Sequence, residues 1–253
     1  MKSRRLWLVG FIGIALMVRM PAYGNTQARI RVLILSGSNN HNWQKTTPCL
    51  KQIFDANDLF QVSVTEQPQT CGAEDLANID VIVSNWNAFG KGKADTDWPA
   101  PTRTAFLDFI RQGGGHVMVH AGGSSFYDWP EYHRIAASWG PKTSHGPMHT
   151  FKVEVADPNH ALVRGVKPFS IRDELWNSTK FPEDSHVLLT AHSSQKNGGT
   201  GQPETLLCVS SFGRGRCVNL MLGHDVSAMR YLEFQQLLSR SCAWAGHSRL
   251  EQF

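Results

Sequence analysis

Short apolar runs alternate with longer segments of helical periodicity through the first half of the chain. Leu50, Ile53 and Phe54, for example, recur at the spacing of one helix face. The runs, rich in Val, Ile and Leu, are Ile30–Leu35, Phe60–Glu66, Ile79–Ser84 and His116–His120. Apolar strands joined by helices are typical of βαβ units, whose parallel sheet is covered on both faces. The pattern predicts an α/β fold with a mostly parallel sheet flanked by helices, as in flavodoxin.

The second half of the chain contains strands with shorter connections. The predicted strands are Phe151–Ala156, Val187–His192, Thr205–Phe212 and Arg216–Leu222. The turn around Arg214 predicts that the last two strands form an antiparallel hairpin. A final helix is predicted over about Ala228–Ala245. We therefore expect antiparallel strands to be added in this half.

The first 24 residues have the order of features found in secretory signal peptides. Three basic residues precede the uncharged apolar stretch Leu6–Val18, and small residues stand before a cleavage point after Gly24. The alternative is a membrane anchor, but Arg19 interrupts the apolar run well short of the roughly 20 residues that a spanning helix needs. We expect residues 1–24 to be a signal peptide and the protein to be exported to the periplasm or beyond the cell.

The charge balance of the remaining chain argues against a nucleic-acid or membrane partner. Of the 25 basic residues, Lys2, Arg4, Arg5 and Arg19 belong to the signal segment, which leaves 21 against 21 acidic residues. A neutral body has no basic excess to attract nucleic acid or an anionic membrane surface. No linker or repeat divides it, so a single domain is expected over residues 25–253.

Two polar stretches, Lys91–Pro101 and Gln195–Pro203, are predicted surface loops, and either could act as a lid. The five cysteines of an exported chain leave at least one thiol without an intrachain partner. Cys208 could face Cys217 across the hairpin, and Cys49 could pair with Cys71. The alternative is that all five, Cys242 included, are free and small enough to be buried.

Polar residues follow the predicted parallel strands at the edge where ligands bind in open α/β sheets. His41 follows the first strand, His120 ends the fourth, and His224 follows the last. If these strands are neighbours in the sheet, the three imidazoles open into one cleft.

Two further segments could join this cleft. The loop Ser144–His149 carries two histidines, and Asp173–Trp176 offers two carboxylates beside an indole. Neutral imidazole is the commonest nitrogen ligand for metals, so the histidines predict a divalent-metal site, with zinc as the first expectation. The predicted ligands are His41, His120, His145, His149 and His224. The alternative is that these histidines have acid–base, binding or structural roles.

Acyl transfer by a nucleophile elbow is disfavoured. The turn after Val119 has the shape of such an elbow, but Ala121 stands where the nucleophile would be. Gly113–Gly115 precedes a strand instead of following one, so it predicts a turn and not a phosphate cradle. No nucleotide cofactor is expected.

These motifs occur in one order across nearly the whole chain after residue 24. They are Arg31–Trp43, Gly113–Ala121, Ser144–Phe151, Asp157–Gly165, Asp173–Trp176, and Gly213–Arg216 leading to Gly223–Asp225. The set resembles the trehalose-utilisation (ThuA-like) family. The resemblance implies a fold like that of class I glutamine amidotransferases, without their cysteine nucleophile. It also implies a sugar-related role, in the metabolism of oxidised (3-keto) disaccharides and glycosides.

A 3-keto-glycoside would allow a specific reaction. The ketone acidifies the proton at C2, so a base can remove it and expel the C1 oxygen, and water then completes a net hydrolysis. The site needs a base, an electrophile for the enolate oxygen and groups that grip the ring. We expect His120, Glu174 and His224 to be catalytic. The expected substrate-binding residues are Asn40, His41, Trp43, Trp86, Asp173, Trp176 and Asp225.

The resulting hypothesis is an exported hydrolase or lyase that acts on a keto-disaccharide or glycoside, with a small carbohydrate as its partner. A carbohydrate-binding protein with the same cleft and no turnover is the first alternative. A structural or assembly protein is the second, and it would show a large exposed apolar patch.

Overall fold

The structure, a computed structural model, describes residues 28–90, 98–248 and 250. The predicted signal peptide and most of the predicted loop Lys91–Pro101 lie outside these residues. Within the part of the chain that the structure describes, no helix is long and apolar enough to cross a membrane.

Strands and helices alternate in the first half, as the hydrophobic pattern predicts. The elements are β1 (Ile30–Leu35), α1 (Trp43–Asp55), β2 (Phe60–Thr65), α2 (Ala73–Leu76), β3 (Val81–Ser84), α3 (Ala100–Arg111) and β4 (Gly115–Val119). β1 pairs in parallel with both β2 and β3, and β3 pairs in parallel with β4. Every residue of β3 and β4 is buried, which is the pattern of strands covered on both faces.

The second half extends this sheet. Its elements are β5 (Ser144–His145), β6 (His149–Val155), β7 (Phe169–Asp173), β8 (Trp176–Asn177), β9 (His186–His192), β10 (Pro203–Phe212), β11 (Gly215–Leu220), α4 (Val226–Met229) and α5 (Leu232–Ala245). β11 pairs in parallel with β4, whereas β10, β9, β6 and β7 continue the sheet in antiparallel pairing. The described residues thus form a nine-stranded sheet in the order β2-β1-β3-β4-β11-β10-β9-β6-β7, with β5 and β8 as a separate pair. The predicted fold class is confirmed.

A glycine shapes the turn after β1. Gly37 has φ +93°, and a Cβ atom there would lie 2.0 Å from the carbonyl oxygen of Glu66. Both the left-handed backbone and the close approach exclude a side chain. This turn directs the chain from the buried strand into the loop that carries His41.

The predicted helix Ala228–Ala245 is instead two helices. α4 begins earlier because Asp225 caps it, its Oδ1 accepting from the N–H of Ala228 at 2.9 Å. Tyr231 then adopts an extended conformation, and α5 begins at Leu232. Apolar periodicity continues across the break, which is why the sequence predicts one helix.

Neither of the two cysteine pairs is bridged, and all five cysteines are free thiols. Phe212 pairs with Gly215 across a two-residue turn, so Cys208 lies opposite Asn219 and not opposite Cys217. Burial raises the pKa of Cys208 to about 12, which keeps this thiol protonated and unreactive.

Candidate metal centre

Three histidines meet at the carboxyl ends of the parallel strands. His41 lies in the loop after β1, His120 directly follows β4, and His224 lies shortly after β11. These strands are close neighbours in the sheet and end at the same edge. The three ring centroids are therefore only 4.4 to 5.4 Å apart.

Glu174 reaches the histidines from the far edge of the sheet. It follows β7, which is four strands from β11, or about 19 Å away in a flat sheet. The fully buried Asp173 closes this gap, because its Oδ2 accepts from the N–H of Gly223 at 2.7 Å and its Oδ1 from the N–H of His224 at 3.1 Å. The chain segments that follow β7 and β11 thus approach each other, and the two hydrogen bonds of Asp173 hold them together.

Four side chains form one compact cluster: His41, His120, Glu174 and His224, whose ligand atoms all lie within 4.8 Å of one another. Oε2 of Glu174 is 3.3 Å from Nδ1 of His224, 3.4 Å from Nε2 of His120 and 3.8 Å from Nε2 of His41. These separations exceed those of a strong N–H···O bond. Oε2 of Glu174 and Nδ1 of His224 are both buried without a hydrogen-bond partner.

This spacing suits a metal ion. A cation held tetrahedrally at about 2.0–2.1 Å by imidazole nitrogen and carboxylate oxygen keeps its ligand atoms about 3.3–3.4 Å apart. Two of the three separations from Glu174 Oε2 match that value, and the third is a few tenths of an ångström longer. A cation would also satisfy the buried carboxylate oxygen, which is costly to leave without a partner. The cluster can therefore hold a metal ion.

His120 presents a lone pair to the cluster. Its Nδ1 lies 2.7 Å from the carbonyl oxygen of Met221, and because a carbonyl only accepts, Nδ1 carries the hydrogen. In the neutral imidazole Nε2 is then unprotonated, and its single lone pair, which has a long contact of 3.4 Å with the indole N–H of Trp176, is the one that a cation would take. His120 also has φ +44°, an uncommon conformation for a residue with a side chain. Backbone strain of this kind is concentrated at functional sites.

The electrostatics favour the neutral form of His41, which binds a cation, and the protonated form of His224, which must lose its proton to bind one. Burial alone would raise the pKa of Glu174, but the surrounding histidines hold that pKa well below its usual range when they donate to the carboxylate as protonated rings. Burial lowers the pKa of His41 and favours its neutral form. Burial would also lower the pKa of His224, but Glu174, Asp173 and Asp225 raise it above its ordinary value.

The two histidines of the loop 144–149 lie outside the cluster. Nδ1 of His145 is 2.9 Å from Oε1 of Glu174, the carboxylate oxygen that is not part of the cluster, and its side chain is 38% exposed. His149 instead contacts the carbonyl oxygen of Pro147 at 2.9 Å and packs on Phe151. The prediction of His145 and His149 as ligands is therefore corrected. The turn at Gly146 and Pro147 separates them, so they do not converge on one ion.

The loop after β9 packs behind His145. A Cβ atom on Gly146 would lie 1.7 Å from the carbonyl oxygen of Asn197, so the two backbones touch. Asn177 on β8 donates to the carbonyl oxygen of Gly198 at 3.4 Å. This part of the predicted loop Gln195–Pro203 therefore supports the strand that carries His145.

The cluster lies at a cavity of about 360 Å³. Its lining residues are Asn40, His41, Asn42, His145, Glu174, Trp176, His224 and Asp225. Amide, imidazole and carboxylate groups thus surround one indole. Such a mixture can hydrogen-bond a polyhydroxylated ligand while an aromatic face packs on its ring.

The region that contains the cluster matches a known family. The sequence profile of the trehalose-utilisation family, ThuA, matches residues 31–245. The chain belongs to the ThuA family. A search of curated proteins gives no significant match.

Solved structures agree with this assignment. A ThuA-like protein from Parabacteroides merdae is 28% identical over 89% of this chain and 93% of that chain, with a TM-score of 0.79. A ThuA-like protein from Bacteroides uniformis is 20% identical over 89% and 95%, with a TM-score of 0.64. A GMP synthase component from Thermoplasma acidophilum is 7% identical over 87% and 96%, with a TM-score of 0.52. The last match concerns the fold alone, and it confirms the glutamine-amidotransferase-like architecture.

Five of the seven predicted substrate-binding residues of this ThuA protein lie at or beside the cavity. Asn40, His41, Trp176 and Asp225 line the cavity. Asp173 is buried beside it and binds backbone N–H groups.

Two predicted tryptophans do not line the cavity of the ThuA protein. Trp43 is half-buried at the start of α1. Trp86 is only 5% exposed and stacks on Phe126 at 5.2 Å, beside Trp98. The prediction that Trp86 binds substrate is corrected, because its ring turns into the aromatic core beneath the strand end.

Trp139 lies near the cavity, although no sequence pattern predicts this position. Trp139 stacks on Trp176 with ring centroids 3.9 Å apart, and the 49% exposed Phe89 packs edge-on against Trp139. The three rings form an aromatic wall, Trp176–Trp139–Phe89, from the cavity towards solvent. Trp139 is brought there by the pairing of Ser138 with Lys180, which no local pattern predicts.

Proposed function

We propose that this ThuA protein is an exported, metal-dependent enzyme that cleaves a keto-glycoside by base-catalysed elimination and hydration. One observation carries the proposal: a buried carboxylate oxygen without a hydrogen-bond partner faces three imidazole nitrogens beside a polar cavity. The family description, trehalose utilisation, supports a sugar as the substrate.

His41, His120, Glu174 and His224 would hold the metal. Three nitrogen ligands and one carboxylate suit a borderline ion such as zinc, which is our first expectation. When bound, the cation would supply Lewis-acid stabilisation of negative charge on the sugar carbonyl oxygen, for which it must accept a further ligand beside the four protein atoms. Asp173 supports the site because its carboxylate fixes the backbone of both His224 and Glu174.

His145 is our candidate for the proton-transfer residue. Its Nδ1 contacts the Gly146 carbonyl and the Glu174 carboxylate, each at 2.9 Å, so Nδ1 carries the hydrogen. In the neutral imidazole Nε2 is then free to take a proton. The same arrangement of a carboxylate behind a histidine orients the base in many hydrolytic sites.

The proposed reaction balances as follows. The base takes the proton at C2, and the resulting enolate expels the aglycone oxygen from C1, which leaves as an alcohol after gaining a proton. Water then adds its oxygen to C1 of the enone while C2 regains a proton. The sum is glycoside plus water giving a keto-sugar plus an alcohol, with no redox change.

The cavity and its surroundings favour a substrate larger than one ring. About 360 Å³ lies near the lower end of the usual size range for small-molecule sites. The aromatic wall continues beyond it to the exposed ring of Phe89, and we expect this wall to contact a second sugar or another aglycone.

The test is to incubate the zinc-loaded protein with a 3-keto-glycoside in D₂O. We expect release of the aglycone and deuterium at C2 of the sugar, above the exchange seen with His120→Ala. The unoxidised glycoside is the control, because without the ketone its C2 proton is not acidic. Equal cleavage of both compounds would contradict the proposed chemistry, and binding without cleavage of either would favour a carbohydrate-binding protein.

Export is part of the proposal and rests on the first 24 residues. Expression of the full chain in a Gram-negative host, followed by N-terminal sequencing of the periplasmic product, tests it. We expect a mature chain that begins at Asn25. Full-length protein confined to the cytoplasm would contradict export without affecting the proposed chemistry.

A further inference from the structure

The carboxamide of Asn39 contacts His41 on the side away from the cluster. Its Oδ1 lies 2.8 Å from the backbone nitrogen of His41 and 3.1 Å from Nδ1 of the imidazole. A third contact, at 2.9 Å, comes from Nδ2 of Asn87. One oxygen atom therefore accepts hydrogen bonds from both the backbone N–H and the side chain of the same histidine.

These contacts determine which ring nitrogen carries the hydrogen. A backbone N–H can only donate, so the Asn39 atom that it meets must be the carbonyl oxygen and not the amide nitrogen. That oxygen can only accept, so Nδ1 of His41 must carry a hydrogen. In the neutral imidazole the lone pair is then on Nε2, the atom that faces Glu174.

Asn39 is itself held on both sides. Its Nδ2 donates to the backbone oxygen of Asn85 at 3.1 Å. Asn87, only 1% exposed, donates to Oδ1 of Asn39 and also to Oδ1 of Asn40 at 2.7 Å. The half-buried amide of Asn39 cannot flip without losing several of these hydrogen bonds.

We propose that Asn39 is a positioning residue that holds His41 as the Nδ1–H tautomer, with Nε2 ready to bind a metal ion. The proposal rests on the proposed metal site. Ligating histidines generally donate their other N–H to a fixed acceptor, and losing that acceptor typically costs about 10- to 100-fold in metal affinity. An amide provides the acceptor without adding a negative charge to the site.

Two variants isolate the role of the oxygen. Asn39→Ala removes both the acceptor and the donor to Asn85, whereas Asn39→Asp removes the donor, keeps the acceptor oxygen and adds a negative charge. The difference between them therefore reports the acceptor oxygen together with that charge. Asn78→Ala, which changes an exposed asparagine that contacts Arg31, is the surface control.

The first readout is the tautomer of His41 in the metal-free protein, from long-range ¹⁵N–¹H NMR spectra at a pH where the ring is neutral. We expect Nδ1–H in the unaltered protein and in Asn39→Asp, and a shift towards Nε2–H in Asn39→Ala. Nε2–H in the unaltered protein would overturn the proposal even if no variant folds. This readout needs no metal, so it separates failure of the proposal from failure of the metal site.

The second readout is the affinity for Zn²⁺, measured by competition with a chromophoric chelator. We expect Asn39→Ala to bind about 10- to 100-fold more weakly, and Asn39→Asp and Asn78→Ala to stay within a few-fold of the unaltered protein. Equal losses in Asn39→Ala and Asn39→Asp, or no loss in either, would overturn the role of the oxygen. No binding by the unaltered protein would overturn the metal site.

Discussion

Nδ1 of His145 lies 2.9 Å from Oε1 of Glu174, while Oε2 of the same carboxylate faces the three histidines of the cluster. Glu174 thus uses its two oxygens for different partners. One oxygen belongs to the proposed metal cluster and the other orients an imidazole that is open to the cavity. Metal binding and proton transfer are therefore assigned to different histidines, and they can be tested separately.

The first test changes His145. We expect His145→Ala to hold its metal ion at saturating Zn²⁺, because His145 lies outside the cluster, and to lose about 10²- to 10⁴-fold in kcat, the usual contribution of a general base. Metal content and aglycone release are measured on the same sample. His149→Ala is the matched control and should retain both properties. Loss of metal from His145→Ala would show that the two roles are not separate.

A second test compares two tryptophans. Trp139→Ala should raise the KM for a two-ring glycoside about 2- to 12-fold, which corresponds to about 0.5–1.5 kcal/mol of ring contact. It should leave the KM for a methyl glycoside nearly unchanged, because that substrate does not extend along the aromatic wall.

Trp86 provides the contrast, because it is buried in the aromatic core. Trp86→Ala should lower the free energy of unfolding by about 3–5 kcal/mol. Urea unfolding measures this loss, and any folded fraction should keep the KM of the unaltered protein. A selective effect of Trp86→Ala on KM, with stability unchanged, would contradict the positions assigned to the two rings.

Much of the site can be predicted because it follows from one rule about parallel sheets. The runs before His41, His120 and His224 are recognisable strands, and neighbouring parallel strands end at one edge. The position of Glu174 does not follow from this rule. It depends on the approach of β7 to β11 through Asp173, and no local pattern encodes that approach.

The corrected predictions are wrong for related reasons. Trp86 follows a strand end like the cluster residues, but whether a ring turns inwards or outwards depends on packing with Phe126 and Trp98. His149 is close to His145 in sequence, but it begins β6 and turns away. Cys208 and Cys217 miss each other because the turn residues are Gly213 and Arg214, and Cys208 lies farther from this turn along the chain than Cys217 does.

A third test concerns stability and pH. His116 is completely buried on β4, where burial lowers its pKa to about 3, and its Nε2 contacts Oγ of Ser84 at 2.9 Å. Between pH 6.5 and 3 the unfolded chain therefore takes up a proton that the folded chain does not. Stability must fall as the pH drops below 6.5, by up to about 1.4 kcal/mol per pH unit from this group.

His116→Gln removes this titration and keeps a polar group opposite Ser84. When the pH falls from 6.5 to 5, the free energy of unfolding should decrease by up to about 2 kcal/mol less in the variant than in the unaltered protein. Urea unfolding at several pH values measures the two slopes, and the comparison of slopes is independent of any constant loss caused by the substitution. Parallel slopes would contradict the burial of a neutral His116.

The most direct test of the central claim is the metal content of protein purified without chelator and reloaded with Zn²⁺, Mn²⁺, Co²⁺ or Ni²⁺ in turn. The account predicts about one tightly held ion per chain, loss of that ion in His120→Ala and in His224→Ala, and full retention in His149→Ala. No bound ion under any loading condition, or equal metal content in all four proteins, would contradict it.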